Sequence, residues 1–315
     1  MRAPMVPIGK RVRAYCAPVD RTTETPTWFD PAVPFDFRAP AVPWIALGEV
    51  VNLTRTGATR ITPMLAGPHG AVTAQLRATV EARVGFDLLQ WGKLQMALAG
   101  GSQHVNVLAT NGAGTAGMGN PAVLPVAVLP GSSATELILG PGSVNAFNVG
   151  DMVACDVDYQ QQTGYLGWPA AAYVSDPAKV NRDADYLRRV TFNVARVTQV
   201  TATALELAEP LVGGAPAAGA SVQKVVAFAD REGGSFFQEW SMLFALEPES
   251  GGQVCFYYPR VQACVPESET AIQCDTYAAT ALHAELTALP VTDVVDHEQV
   301  VCYRTYVPAA TADVY

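Results

Sequence analysis

What this sequence lacks narrows its chemistry before what it contains is considered. Only 16% of its 315 residues are charged, against roughly a quarter in an average globular chain. A chain with so little charge has less surface to solvate, which points either to burial of part of that surface in an oligomer or to a large compact core. Cys16, Cys155, Cys255, Cys264, Cys274 and Cys302 are dispersed, form no C-x-x-C pair and have none of the four histidines beside them. A zinc site is therefore not expected, and reduced thiols in a cytoplasmic product are. No serine occupies a G-x-S-x-G elbow and no cysteine has a reactive context, so the expectation is a protein with no catalytic residue, metal or cofactor. No apolar run reaches about 18 residues, which excludes a membrane-spanning helix.

What is present is apolar surface and an uneven charge. Half of the residues are hydrophobic, enough for a sizeable core and too many for a disordered chain. The formal net charge of -9 is concentrated at one end: residues 1–120 carry 11 basic and 7 acidic side chains, residues 226–315 carry 3 and 13. The acidic C-terminal third argues against sequence-reading contact with nucleic acid, which relies on clustered Lys and Arg. Opposite charges at the two ends suit either head-to-tail assembly or simply keeping the chain in solution.

Along the chain, Arg11–Cys16 is a strand candidate. Prolines at 26, 31, 34, 40 and 43 then exclude helix and central strand from an arm that carries Trp28, Phe35, Phe37 and Trp44. Such an arm lies across its own sheet or a neighbour's. Trp28, Phe35, Phe37, Trp44 and Ile45 are the candidate subunit interface.

From Val72 to Val84 apolar and polar residues alternate without interruption, which predicts a long strand with one buried and one wet face. Gly85-Phe86 ends the alternation. Asp87 reads as an N-cap with Gln90 as its capping-box partner, followed by Leu88, Trp91 and Leu98 as the packing face of a helix stopped at Gly100-Gly101. Short strands split by turns follow at Thr135–Leu139, Met152–Val157, Tyr186–Val200 and Ala204–Leu207. They suggest a small β domain over 131–225, inserted into a core formed by 1–130 and 226–315, the alternative being extra strands of one enlarged sheet. In the last third, Phe236–Leu246 is apolar on both faces and turns through Pro248–Gly252 into Val254–Tyr258. That first strand is expected to be covered on both sides, by a helix on one and a partner or second sheet on the other. Further strands are expected at Thr276–Leu289 and Val300–Val307.

Two local patterns resemble chemistry. Gly112-Ala113-Gly114-Thr115-Ala116-Gly117 matches G-x-G-x-x-G, but Pro121 and Pro125 forbid the helix that must follow it in a dinucleotide site, and a linker is expected. Asp293, Asp296, His297 and Glu298 are the densest ionisable group, and a solvated turn between strands is the ordinary reading.

Several segments together resemble the tail tube (major tail) proteins of long-tailed bacteriophages. They are Val84–Trp91 with Leu98–Gly101, Phe236–Leu246 with Phe256-Tyr257-Tyr258-Pro259-Arg260, and Ala284–Val291 with Val300–Tyr306. The resemblance implies a mostly β, sandwich or barrel-like core with one flanking α-helix, and a small β domain displayed on the outer surface. It implies a virion structural protein, assembled in the host cytoplasm, whose six-membered rings stack into a tube beside other tail proteins. DNA would pass through that tube transiently and without sequence preference. Polar residues Thr73, Gln75, Arg77, Thr79, Glu81, Arg83 and Gln238 are the candidate lumen face. The alternative from another class is a β-rich carbohydrate- or receptor-binding component of a tail tip or adhesin, for which exposed Trp28, Trp44 and Trp168 would speak.

Overall fold

The structure is a computed structural model. It describes residues 9–19, 25–41, 43–66, 71–90, 92–101, 103–108, 110–111, 120–121, 126–157, 194–211, 214–216, 218–231, 239–248, 252–264 and 281–307. Strand outweighs helix by 59% to 6%, so the fold is mostly β. In chain order the first elements are β1 (Gly9–Pro18), β2 (Ile45–Ala66), β3 (Ala71–Leu88), helix α1 (Lys93–Gly100), β4 (Gln103–Leu108), β5 (Thr110–Asn111) and β6 (Asn120–Pro121). Next come β7 (Val126–Ala127), β8 (Glu136–Ile138), β9 (Met152–Val157), β10 (Val194–Val200), β11 (Ala204–Leu207) and β12 (Ala220–Arg231). The chain closes with β13 (Glu239–Pro248), β14 (Gln253–Ala263), β15 (Leu282–Leu289), β16 (Val291–Thr292), β17 (Gln299–Val300) and β18 (Tyr303–Val307).

Six antiparallel strands form a closed barrel in the order β13-β1-β2-β3-β15-β14, with β14 returning to β13. Along its other edge β14 pairs first with β18, through Gln253–Tyr257, and then with β15, through Arg260–Ala263. Alternation puts Ala14 and Cys16, Val84, Phe86 and Leu88, Trp240, Met242 and Phe244 inside, with Tyr258, Val261, Ala284 and Leu286. Phe244 is the hub, edge-on to Phe86 at 5.0 Å and to Tyr258 at 6.1 Å. Each such fully buried side chain contributes about 1.5–3 kcal/mol of transfer free energy.

A second sheet, a half-barrel in the order β4-β12-β9-β10-β11-β8 with β7 on β12, is built between α1 and β13. It has its own core around Leu137, Phe147, Val153, Val197, Leu205 and Val222.

The helix starts later than its capping pattern predicts. Asp87 and Leu88 still belong to β3, where Leu88 pairs with Val50 and lies fully buried in the barrel. Leu88 is therefore a core residue of the strand and not part of the helix face. Asp87 is not an N-cap, because its carboxylate already accepts from Asn52 and His283 on the neighbouring strands. Leu94 and Leu98 carry the packing of α1 on the barrel core; Trp91 lies outside the described residues. Gly85 does not end the strand either. It sits where a Cβ would come within 2.9 Å of the Thr54 hydroxyl, so the strand needs glycine there for the close approach.

Strand β13 is covered on both sides, but not by the expected helix and partner: its inner face packs in the core of its own barrel and its outer face lies under the chain's own arm. Tyr15, Ala17, Leu243, Ala245, Cys255 and Tyr257 form an outward-facing apolar patch, onto which Phe29, Phe35, Phe37 and Trp44 fold. Thr27 anchors the arm: its N–H donates to Ser241 Oγ at 2.9 Å, and its carbonyl accepts from the Tyr257 hydroxyl at 2.7 Å. The Tyr15 hydroxyl donates to the Phe37 carbonyl at 2.6 Å. Burial pushes the Tyr257 hydroxyl well above the ordinary tyrosine range.

Candidate assembly surface

Strands β2 and β3 are much longer than the barrel they belong to. Near the barrel, Val50 and Leu88 pair and are both buried. Beyond Gly57 and Ala82 the two strands continue as a ribbon with no third strand beside them among the described residues, since β15 stops pairing with β3 at Ala82. Every residue from Thr54 to Met64 is exposed. On β3, Val72 and Val80 are in phase with the buried Val84 and Phe86, yet are 56% and 40% exposed. Ile61 adds a third large apolar side chain, 52% exposed. The sequence predicts a buried face along the whole of Val72–Val84; instead Val72, Ala74 and Val80 are exposed and Ala82 is half-buried, because among the described residues no further strand flanks the ribbon.

The opposite face of the β2-β3-β15 wall is polar. Asn52, held at φ 54, donates from Nδ2 to Asp87 at 2.6 Å, and Asp87 contacts His283 Nδ1 at 2.7 Å, so one polar row crosses three strands. Arg83 and Glu285 pair at 3.4 Å in the adjacent rows. Of the predicted lumen residues, Glu81 and Arg83 are exposed on this wall. Thr73, Gln75, Arg77 and Thr79 are on β3, but their side chains lie outside the described residues, as does Gln238. Asp87, His283 and Glu285 belong to the same wall. Sequence periodicity within one strand could not find them, because they join it through cross-strand register.

Arg55 marks where the ribbon leaves the barrel. It is opposite Val84 in the register, its guanidinium lies 4.4 Å over the Phe256 ring, and its Nε donates to the Tyr258 hydroxyl at 2.6 Å. The charge sits over aromatic rings and satisfies the one polar atom of a tyrosine otherwise buried in the core. Burial is the main cause that pushes the Tyr258 hydroxyl up to about 12, with Arg55 opposing it.

A second projection emerges at the same end of the barrel. Strand β15 runs from Leu282, opposite Leu88, to Ala288, opposite Ala82, and so heads toward the ribbon before continuing into β16. The β16–β17 turn contains the predicted acidic group. Asp293 Oδ1 accepts from Val295 N at 2.8 Å, Asp296 Oδ1 accepts from Glu298 N at 3.0 Å, and the Tyr303 hydroxyl donates to Asp293 Oδ2 at 2.7 Å. The Tyr303 hydroxyl, followed by the Val295 amide, holds the Asp293 carboxyl below the usual carboxylate range. At the tip, Val294 and Val295 are 77% and 86% exposed. Among the described residues no group of three or more His, Cys, Asp or Glu could hold a metal.

The predicted interface residues of the arm are placed against their own barrel. Trp44 is buried, Phe35 and Phe37 pack around Tyr15, and Ile45 opens β2 and packs against the core. Trp28 is 45% exposed, with its ring against Tyr257 and Tyr303. The G-x-G-x-x-G stretch, His69, Trp168 and Cys274 lie outside the described residues. Cys16, Cys155, Cys255, Cys264 and Cys302 are free thiols. No helix among the described residues is long and apolar enough to cross a membrane. Compared with known proteins, the sequence matches no family model and no curated protein.

Proposed function

We propose that this chain is a structural subunit that assembles with copies of itself into six-membered rings, stacked as the tail tube of a long-tailed bacteriophage. The observation that carries the reading is the projecting ribbon. A strand pair that leaves its barrel with Val72, Val80 and Ile61 exposed has apolar surface prepared for cover and finds none among the described residues. The polar wall of β2, β3 and β15 supports a wet inner surface. Its Asp87 and Glu285 carboxylates, beside Glu81 and Arg83, give DNA phosphates little to adhere to. The second sheet, joined at the barrel end away from the ribbon, fits a domain displayed outside. The product belongs in the virion tail, with other tail proteins as its remaining partners.

Negative-stain electron microscopy of the purified full chain, with sedimentation over a concentration series, tests this. Rings or tubes are expected. A monomer at every concentration, with no ring in any field, overturns it. The reading as a carbohydrate- or receptor-binding module rests on Trp28, an exposed indole over two tyrosines. Glycan binding by a discrete particle, lost in Trp28→Ala, would favour that reading instead.

A further inference from the structure

We propose that the seating of the arm and the order of the β16–β17 turn form one coupled equilibrium, joined through the side chain of Tyr303. The coupling belongs to the single subunit and holds whether or not copies assemble.

The turn is built around Asp293, whose backbone and carboxylate are both used. Its N–H donates to the Glu298 carbonyl at 2.8 Å, and its own carbonyl accepts from the His297 N–H at 3.0 Å. Oδ1 accepts from the Val295 N–H at 2.8 Å, and Oδ2 accepts from the Tyr303 hydroxyl at 2.7 Å. His297 stands at φ 61, a left-handed conformation that is costly for a residue with a side chain. The turn therefore depends on these bonds to persist. Of the four, the one from Tyr303 alone comes from outside the turn.

The ring of Tyr303 belongs to the arm's seat. It stacks on Tyr257 at 6.0 Å and meets Trp28 edge-on at 6.1 Å. Tyr257 in turn meets Trp28 at 6.2 Å and Phe29 at 6.1 Å, and donates its hydroxyl to the Thr27 carbonyl at 2.7 Å. Thr27, Trp28 and Phe29 thus clasp a pair of tyrosines, one of which reaches the turn. The two-state element is the Tyr303 side chain: docked, with its ring against Trp28 and its hydroxyl on Asp293, or released from both. A ring already held by Trp28 loses less freedom on bonding Asp293 than a free one does. Such coupling is reciprocal. It links two exposed surfaces, the Trp28 indole and the Val294–Val295 tip. A partner that displaces Trp28 loosens the turn, and a partner that clamps the turn seats the arm.

Hydrogen exchange at the Val295 amide reads the turn, and limited proteolysis within the arm reads its seating. Trp28→Ala and Tyr303→Phe alter no fully buried side chain, and circular dichroism should show both variants folded. Each should raise both rates about fivefold or more. Combined, they should fall short of the product of the two, since both break one route. Tyr15→Phe removes the hydroxyl that holds the other end of the arm at the Phe37 carbonyl. It should quicken cleavage near Phe37 and leave Val295 exchange unchanged. Variants that each loosen only their own element overturn the coupling. A Tyr15→Phe chain whose Val295 exchange quickens as much as in Trp28→Ala overturns the route through Tyr303.

Discussion

Val84, Phe86 and Leu88 are fully buried, whereas Val72 and Val80, in phase with them on the same strand, are 56% and 40% exposed. One alternating segment thus has two fates, and its alternation is identical in both. The difference lies in the neighbours. Near the barrel, β15 flanks β3 and the ring of strands closes over its apolar face; past Ala82, among the described strands, β2 alone remains beside it. Periodicity specifies which face of a strand is apolar, and topology decides whether that face is covered by the same molecule.

The most severe way to break this comparison is to truncate one residue from each half. In the isolated subunit, Phe86→Ala should cost about 3–5 kcal/mol, because it empties a site against Phe244 at the barrel centre. Val80→Ala should stay within about 0.5 kcal/mol, as at other exposed positions. Urea denaturation reads both. A ribbon truncation that destabilised the lone subunit as much as the core one would mean that something within the chain covers the ribbon.

A middle-sized effect is expected where the chain does supply its own cover. Ser241 is buried and bridges the arm to the barrel, donating to the Pro259 carbonyl at 2.7 Å and accepting from Thr27 N. Ser241→Ala leaves both backbone groups short of a partner and should cost about 1–3 kcal/mol. Limited proteolysis should then cut the arm sooner. An arm that remains equally protected would show that the aromatic packing of Phe29, Phe35, Phe37 and Trp44 holds it unaided.

Much of the fold is legible in the sequence for a physical reason: strands flanked by turn residues and carrying period-two alternation have few other ways to bury their apolar side chains. Met152–Val157 and Ala204–Leu207 fall where the pattern puts them. The segment after Gly85 misleads because Asp87 satisfies the capping rule while its carboxylate is committed across the sheet to Asn52 and His283. The arm is half legible. Its prolines and aromatics require an extended segment against an apolar surface, but only the outward Tyr15–Leu243–Tyr257 patch identifies that surface as its own barrel. The candidate site is legible where single residues carry it and hidden where register does, as with Arg55 meeting Tyr258 from a strand 203 residues away.

Alkaline titration sharpens the comparison at the junction itself. The Tyr258 hydroxyl is raised to about 12 by burial, and the Tyr303 hydroxyl is raised to about 12 by burial and the adjacent Asp293. A group whose folded value lies above its unfolded value of about 10 contributes stability fully below that unfolded value. The contribution is lost as pH rises through the folded one. Stability should therefore fall between pH about 10 and about 12, with tyrosinate absorbance from these residues appearing late. Early ionisation of Tyr258 would mean that the barrel mouth under Arg55 is open to water.

The smallest effect is expected at the acidic tip, where no core packing is at stake. The Asp293 carboxyl sits below its ordinary range because the Tyr303 hydroxyl and the Val295 amide both donate to it. Its contribution to order is therefore fully present above the unfolded value of about 4 and is lost as pH falls through the lower folded one. Asp293→Asn should reproduce the acid state at neutral pH, since an amide oxygen accepts less strongly than a carboxylate. Hydrogen exchange at the Val295 amide should quicken, while the unfolding midpoint of the barrel barely moves. The two readouts separate because the turn's own tip residues, Val294 and Val295, are already exposed. If the barrel midpoint fell with the tip, the turn would be part of the barrel's own stability and not a separately held projection.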